Sequence, residues 1–108
     1  MANTFKSYAV SGIGTTLTDV HTVAALTTST AIGFSIANTT GSTVTVDATI
    51  FKGATDFYLV KGASIGAGGT LVVVGGDQKL VLETGNKIKV KSSSAASVDV
   101  VLSVLELT

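Results

Sequence analysis

The chain has 108 residues, of which 45% are hydrophobic and only 13% are charged, so we predict one modest domain over residues 1–108. Its formal net charge is zero and it contains no arginine, which leaves no basic excess for phosphates or anionic lipid and disfavours nucleic acid or a membrane as partner. Cysteine is absent, which excludes disulfides, thiol catalysis and thiolate metal sites.

The N-terminal third predicts two strands, near Thr4 to Val10 and near Thr16 to Val23. The first ten residues contain no apolar segment behind a basic stretch, so we expect no signal peptide and synthesis in the cytoplasm. No run of apolar residues approaches the ~18 residues that a membrane helix needs.

Two segments with alternating apolar residues follow, from Ala31 to Asn38 and from Thr43 to Phe51. The side chains expected to face the core are Ile32, Phe34, Ile36, Val44, Val46, Ala48 and Ile50. A turn cluster from Asn38 to Ser42 joins the two segments. This pattern predicts that the two strands pair as a β-hairpin.

Four further strands with turn residues between them are predicted in the next part of the chain. They are expected at Asp56 to Lys61, Thr70 to Val74, Lys79 to Glu83 and Lys87 to Lys91. The continuous apolar run of Thr70 to Val74 predicts a short buried strand. The glycine-rich stretch Gly62 to Gly69 is expected to be a flexible connection, and Gly75 to Asp77 a turn.

The last strand, Val98 to Leu107, is apolar on both faces. Its core face is expected to carry Val98, Val100, Leu102 and Val104. The opposite face carries Val101, Leu105 and Leu107, which we single out as the candidate subunit interface. A strand of this kind lies centrally in its fold or is covered by a neighbouring subunit. No segment shows a helical period, and about eight short antiparallel strands predict an all-β fold: one small β-sandwich, jelly-roll-like.

No group of residues predicts chemistry. His21 is the single histidine, and we interpret it as a structural residue whose replacement by alanine leaves function intact. The carboxylates are scattered, and no nucleophile-elbow pattern accompanies the serines. Gly62 to Gly69 lacks the spacing and the lysine of a phosphate-binding loop. We therefore predict no catalytic, cofactor-binding or metal-binding residue, no cofactor, and a protein that is not an enzyme.

Lys87, Lys89 and Lys91 form a row on the outer face of their strand. The favoured interpretation is a solvated face or protection of a sheet edge against unwanted pairing. The alternative is a docking row for an acidic surface.

The chain resembles a small family of tailed-bacteriophage virion structural proteins, and the likeness covers almost its whole length. The segments that carry it are Asn3 to Tyr8, Gly33 to Thr40, Phe57-Tyr58, Gly69 to Glu83, Gly85 to Val90 and Ser97 to Glu106. The run V-V-V-G-G-D-Q-K is the most distinctive string among them. The resemblance implies a non-enzymatic β-sandwich protein of the virion, present in symmetric copies and made in the host cytoplasm. It implies no catalytic residues.

The leading hypothesis is a protein that decorates or cements the phage capsid or attaches at its neck. Its expected partners are other virion proteins and further copies of itself, a trimer being the first choice by analogy with the family. Seventeen Thr and eleven Ser cover the predicted sheets with few charges, and the deficit of charge suggests surface buried against other subunits. The alternative is a tail or fibre module that recognises a host glycan or protein; its copies per particle would be few.

Overall fold

Nine β-strands in two antiparallel sheets form the fold, as described by a computed structural model for residues 3–75 and 77–108. The strands are β1 (Asn3–Ile13), β2 (Thr18–Thr22), β3 (Thr28–Asn38), β4 (Val44–Lys52), β5 (Thr55–Ile65), β6 (Thr70–Val74), β7 (Leu80–Leu82), β8 (Lys87–Ser92) and β9 (Val98–Leu107). The predicted all-β sandwich is confirmed, with nine strands where about eight were expected. Among the residues described, no helix is long and apolar enough to cross a membrane.

The topology is that of a jelly roll, because most connections cross from one sheet to the other. One sheet has five strands in the order β1-β9-β3-β6, and β7 pairs with β3 beside β6. The other sheet has four strands in the order β2-β8-β4-β5. The first and last strands are neighbours, so β9 lies between β1 and β3 and is central in its sheet.

The core lies between the two sheets and follows from the period-2 alternation of each strand. The largest fully buried side chains include Phe34, Ile36 and Leu102 from the five-stranded sheet and Val46, Ile88 and Val90 from the four-stranded sheet. The predicted core faces of β4, β8 and β9 are confirmed. Their alternation depends only on local geometry, and the sequence therefore predicts it well.

The predicted hairpin of β3 and β4 is wrong. Both strands form where expected, but β3 pairs with β6, β7 and β9, whereas β4 pairs with β5 and β8. The turn cluster thus carries the chain from one sheet to the other. The true hairpin joins β4 to β5 through Gly53 and Ala54, whose positive φ angles of 59° and 67° fit a two-residue turn with the twist of the paired strands.

Asn38, the last residue of β3, holds that crossing in place. Its side chain is 2% exposed and its amide nitrogen Nδ2 donates to the carbonyl oxygens of Ser42, Ile65 and Gly66 at 2.7, 3.0 and 3.2 Å. Its Oδ1 accepts from the backbone N–H and the hydroxyl of Thr40 at 2.9 and 2.7 Å. One amide therefore joins the β3–β4 connection to the turn that follows β5.

Two local expectations are wrong because of β-bulges and edge position. The register between β3 and β9 shifts between Ala31 and Gly33, so Ala31 is buried where Ile32 was expected, and Ile32 is only half-buried. β6 has the predicted bounds, but of its residues only Val74 is fully buried, because β6 lies at the edge of its sheet.

The glycine-rich stretch is more ordered than expected. β5 continues to Ile65, and the remainder is a tight turn in which the N–H of Gly69 donates to the carbonyl of Gly66 at 2.9 Å. Gly68, at the third position of that turn, has a φ of +71°, which favours glycine. The predicted turn at Gly75 to Asp77 includes Gly76, which lies outside the described residues.

Candidate subunit interface

The outer face of the five-stranded sheet carries two rows of residues that run across neighbouring strands. In the first row Phe5 of β1 lies beside Leu105 of β9, which lies beside Thr30 of β3, with Val81 of β7 at the far edge. Phe5 is 73% exposed and Val81 63% exposed, while Leu105 between them is half-buried. This row is apolar at both ends and at its centre.

The second row crosses β1, β9 and β3 at a different height and ends on β6 instead of β7. Ala9, Val101, Ser35 and Val72 lie side by side on β1, β9, β3 and β6. Val101 is 45% exposed and Val72 63% exposed. We call the two rows together the apolar outer face, defined by Phe5, Leu105, Val81, Val101 and Val72.

Small side chains separate the two rows. Ser7, Ser103 and Gly33 are neighbours across β1, β9 and β3. A shallow hollow of about 370 Å³ lies there, lined by Phe5, Lys6, Ser7, Ile32, Ser103 and Val104. The exposed ring of Phe5 thus stands next to a depression in the same surface, which is a shape that another protein surface can fill.

The structure places the three residues of the predicted interface on this side of β9. Val101 and Leu105 belong to the apolar outer face, and Leu107 lies half-buried between Asn3 and Thr28 near the end of the sheet. Sequence reasoning missed Phe5, Val72 and Val81. Alternation could identify an outward side chain on each strand, but the rows form only when β1, β6 and β7 assemble around β3 and β9.

The outer face of the four-stranded sheet has a different character. Lys87, Lys89 and Lys91 each lie within 4.0 Å of a carboxylate of this chain: Asp19 at 3.4 Å, Asp56 at 3.9 Å and Asp47 at 3.7 Å respectively. Lys89 also lies over the ring of Phe51, 4.3 Å from its centroid. The lysine row is therefore compensated within the sheet, which favours the solvated-face interpretation. The docking row stays a prediction without further support from the geometry.

A polar cluster that the sequence did not reveal lies between β1, β2 and β9. The rings of Tyr8 and His21 stack with centroids 3.9 Å apart and planes 20° from parallel. The Tyr8 hydroxyl donates to the carboxylate of Glu106, and Lys6 lies 3.7 Å from the same carboxylate. His21 therefore has Tyr8 and Glu106 as close neighbours, and its role in function stays a prediction.

Burial and charge set the protonation of this cluster. The hydrogen bond to Glu106, followed by burial, raises the pKa of Tyr8 to about 12. Burial lowers the pKa of His21, with Lys6 acting in the same direction and the carboxylate of Glu106 opposing both. His21 Nε2 lies 4.0 Å from Glu106 and is buried without a hydrogen-bond partner among the described residues. Because this nitrogen is enclosed, it is poorly placed to exchange protons with a substrate. The stacked rings of Tyr8 and His21 hold β1 against β2.

This cluster predicts a loss of stability in acid. The unfolded chain binds a proton at the ordinary imidazole pKa of 6.5, whereas the folded chain resists that proton to lower pH. The contribution of His21 to stability is therefore fully present above pH 6.5 and is lost as the pH drops towards the lowered pKa. Urea denaturation at about pH 8 and about pH 5 measures the effect. His21→Gln, which does not titrate, should lose this component of the pH dependence, and parallel curves for both proteins would contradict the assignment.

Comparisons of the chain with protein-family models, with curated protein sequences and with solved structures found no match.

Proposed function

We propose that this chain is a structural subunit of a tailed-bacteriophage virion, which decorates or cements the capsid or attaches at the neck. It works without chemistry, by burying its apolar outer face against further copies of itself or other virion proteins. The observation that carries the proposal is the apolar outer face itself. Scattered exposed hydrophobic residues are ordinary, whereas residues gathered on one sheet face mark an interaction surface.

Residue placement supports self-assembly. Phe5, Val72, Val81 and Val101 are all at least 45% exposed, and they share one face of one sheet with Leu105. The opposite sheet presents lysines paired with aspartates, and its exposed large hydrophobic residues, Phe57 and Tyr58, lie on the edge strand β5. Burying the apolar face removes hydrocarbon from water at roughly 25 cal/mol per Å². Contacts that form only in the particle stabilise both the subunit and the shell by mass action.

The fold and the resemblance in sequence agree with this proposal without deciding it. Jelly rolls occur in viral capsid proteins and also in lectins, so fold alone does not imply function. The residues that resemble phage virion proteins lie mostly in strands of the sandwich, namely β1, β3 and β5 to β9. They favour the virion role over a free binding protein.

The alternative, a fibre module for a host glycan, receives less support from the surface. A polar hollow of about 360 Å³ is lined by Thr15, Thr45, Asp47, Lys91, Ser92 and Ser93, and none of these offers a ring on which a sugar could stack. Tyr58 is 49% exposed, but Lys61 lies over its ring, 4.5 Å from the centroid. Neither feature is a free aromatic platform.

The first test is Val101→Asp, examined by sedimentation and circular dichroism. The wild-type domain should form a closed oligomer, with a trimer expected first. The variant should remain folded and associate at least about 100-fold more weakly, because an unpaired carboxylate is costly to bury. Leu105→Asp should behave in the same way.

Thr22→Asp is the matched control, since Thr22 is exposed on the four-stranded sheet opposite Lys87 and outside the proposed interface. It should leave association unchanged. A wild-type domain that stays monomeric at high concentration, with Val101→Asp folded and unchanged, would contradict assembly through this face.

A second measurement tests whether this protein belongs to the shell or to a fibre of the virion. Quantitative mass spectrometry of purified virions should find this chain in numbers comparable to the shell proteins. Only a few copies per particle would favour the fibre module instead.

A further inference from the structure

The two open sheets have four edges, and one of them carries less protection against pairing than the others. β1 and the pair β6 and β7 bound the five-stranded sheet, while β2 and β5 bound the four-stranded sheet. Edge strands expose unpaired backbone N–H and C=O groups, and proteins usually blunt them with short length, charges, proline or bulges. Of these four edges, β1 carries the fewest of these protections.

β1 is long, regular and nearly uncharged. It has eleven residues, and its pairing with β9 is unbroken from Asn3 to Val10. Lys6 is its single charged residue, and proline is absent from the chain. The first irregularity comes only beyond Val10, near Gly12. Eight consecutive residues thus form one regular edge, along which every second residue directs its backbone N–H and C=O away from β9.

The other three edges carry the usual protections. β2 has five residues, a register shift and the exposed charge of Asp19. β6 and β7 have only five and three residues. β5 has eleven residues, but its pairing with β4 shifts register twice and it contains Asp56, Lys61 and the left-handed Gly62.

We propose that β1 pairs antiparallel with β1 of a second copy about a two-fold axis, which joins the two five-stranded sheets into one continuous sheet. The inference deepens the proposed function, because it identifies a second way in which copies of the subunit meet. It uses the edge of the sheet and leaves the apolar outer face free for the other contact. Two distinct contacts on one subunit are what a larger symmetric assembly requires.

Side-chain parity and charge select the register of this pair. In a continuous sheet, opposed residues must point to the same face, so the two-fold axis passes through a residue pair. With Ser7 opposite Ser7 of the second copy, Thr4 to Val10 overlap fully within the regular part of β1. Phe5 then lies opposite Ala9, and Lys6 lies opposite the aromatic ring of Tyr8. This register is self-complementary.

Neighbouring registers of the β1–β1 pair are less favourable in charge or in the length of overlap. An axis at Lys6 places two like charges directly opposite each other, which destabilises a strand pair. An axis at Phe5 or at Tyr8 shortens the overlap, because the regular edge ends at Asn3 on one side and Val10 on the other. The Ser7 register also brings the two apolar outer faces side by side. A second copy of this chain therefore fits the edge on register and charge.

Cysteine cross-linking tests the pair cleanly, since the chain contains no native cysteine. Ser7→Cys should form a disulfide-linked dimer on mild oxidation, because opposed strand residues lie about 5 Å apart between Cα atoms, within disulfide range. Ala9→Cys is the matched control on the same strand and face. Its two copies would lie about 13 Å apart, so it should cross-link at least about tenfold more slowly.

A mixture of Phe5→Cys and Ala9→Cys chains gives an independent check. The mixed dimer should form, because these two positions oppose each other in the Ser7 register, while each variant alone should not. Equal cross-linking of Ser7→Cys and Ala9→Cys, or no mixed dimer, would overturn the proposal. The double variant with Ser7→Cys and Val101→Asp distinguishes the contact between β1 edges from association through the apolar outer face. Cross-linking that persists supports the edge contact whether or not the apolar outer face associates.

Discussion

Asn38→Ala should lower the free energy of unfolding by about 3 kcal/mol, because the variant leaves several buried or half-buried backbone groups without their partner. The amide nitrogen of Asn38 donates to three carbonyl oxygens, and its oxygen accepts from Thr40. These bonds tie the crossing between the sheets to the turn after β5. Urea denaturation followed by circular dichroism measures the loss.

Asn38→Asp is the sharper comparison, since it keeps the shape of the side chain. The carboxylate still accepts from Thr40 but cannot donate, and it faces the carbonyls of Ser42, Ile65 and Gly66. At neutral pH, Asn38→Asp should lower the free energy of unfolding at least as much as Asn38→Ala. The loss relative to wild type should become smaller when the carboxyl is protonated. A change below about 0.5 kcal/mol for both variants would show that this crossing is held by other contacts.

Phe34→Ala should lower the free energy of unfolding by about 4 kcal/mol, within the range for removing a buried aromatic side chain. Phe34 is 1% exposed, and its neighbours in the sheet are Leu102 on one side and Val74 on the other. Since small domains are stable by about 5–15 kcal/mol, the variant should be only marginally folded. Thermal and urea denaturation measure the change.

Phe57→Ala provides the control for that variant. Phe57 is 53% exposed on β5, so the same substitution there should cost less than about 1 kcal/mol. Equal effects of the two substitutions would contradict the packing described for the core.

Local alternation explains why much of the strand map could be predicted. β9 has the predicted bounds, and its buried and outward faces are those expected from the sequence. β6 also has the predicted bounds, but its burial was overestimated, since nothing in a five-residue apolar run reveals that the strand lies at an edge. Position within a sheet is a property of pairing and not of composition.

Pairing is also the reason why the β3–β4 hairpin prediction failed. A five-residue turn cluster between two alternating strands fits a hairpin and a crossing between sheets equally well by sequence. The crossing is stabilised because the buried amide of Asn38 donates to the carbonyl oxygens of Ile65 and Gly66. Those partners are distant in the sequence, so the local pattern contained no sign of them.

The residues of the candidate interface could likewise be predicted from the sequence only in part. Val101 and Leu105 could be identified from β9 alone, because outward residues in an apolar strand are visible as every second position. Phe5, Val72 and Val81 join them only through the strand order of the sheet. The two rows could not be predicted without that order.

The sequence by itself determined the all-β class, most strand positions and most of the side chains that face the core, because side-chain direction along a strand is set by local backbone geometry. Only the tertiary structure decided which strands pair, where Tyr8, His21 and Glu106 meet, and which sheet edge is least protected against pairing. These features depend on contacts between residues far apart in the chain, which are selected by the packing of the whole sandwich and leave no periodic signal in any one segment.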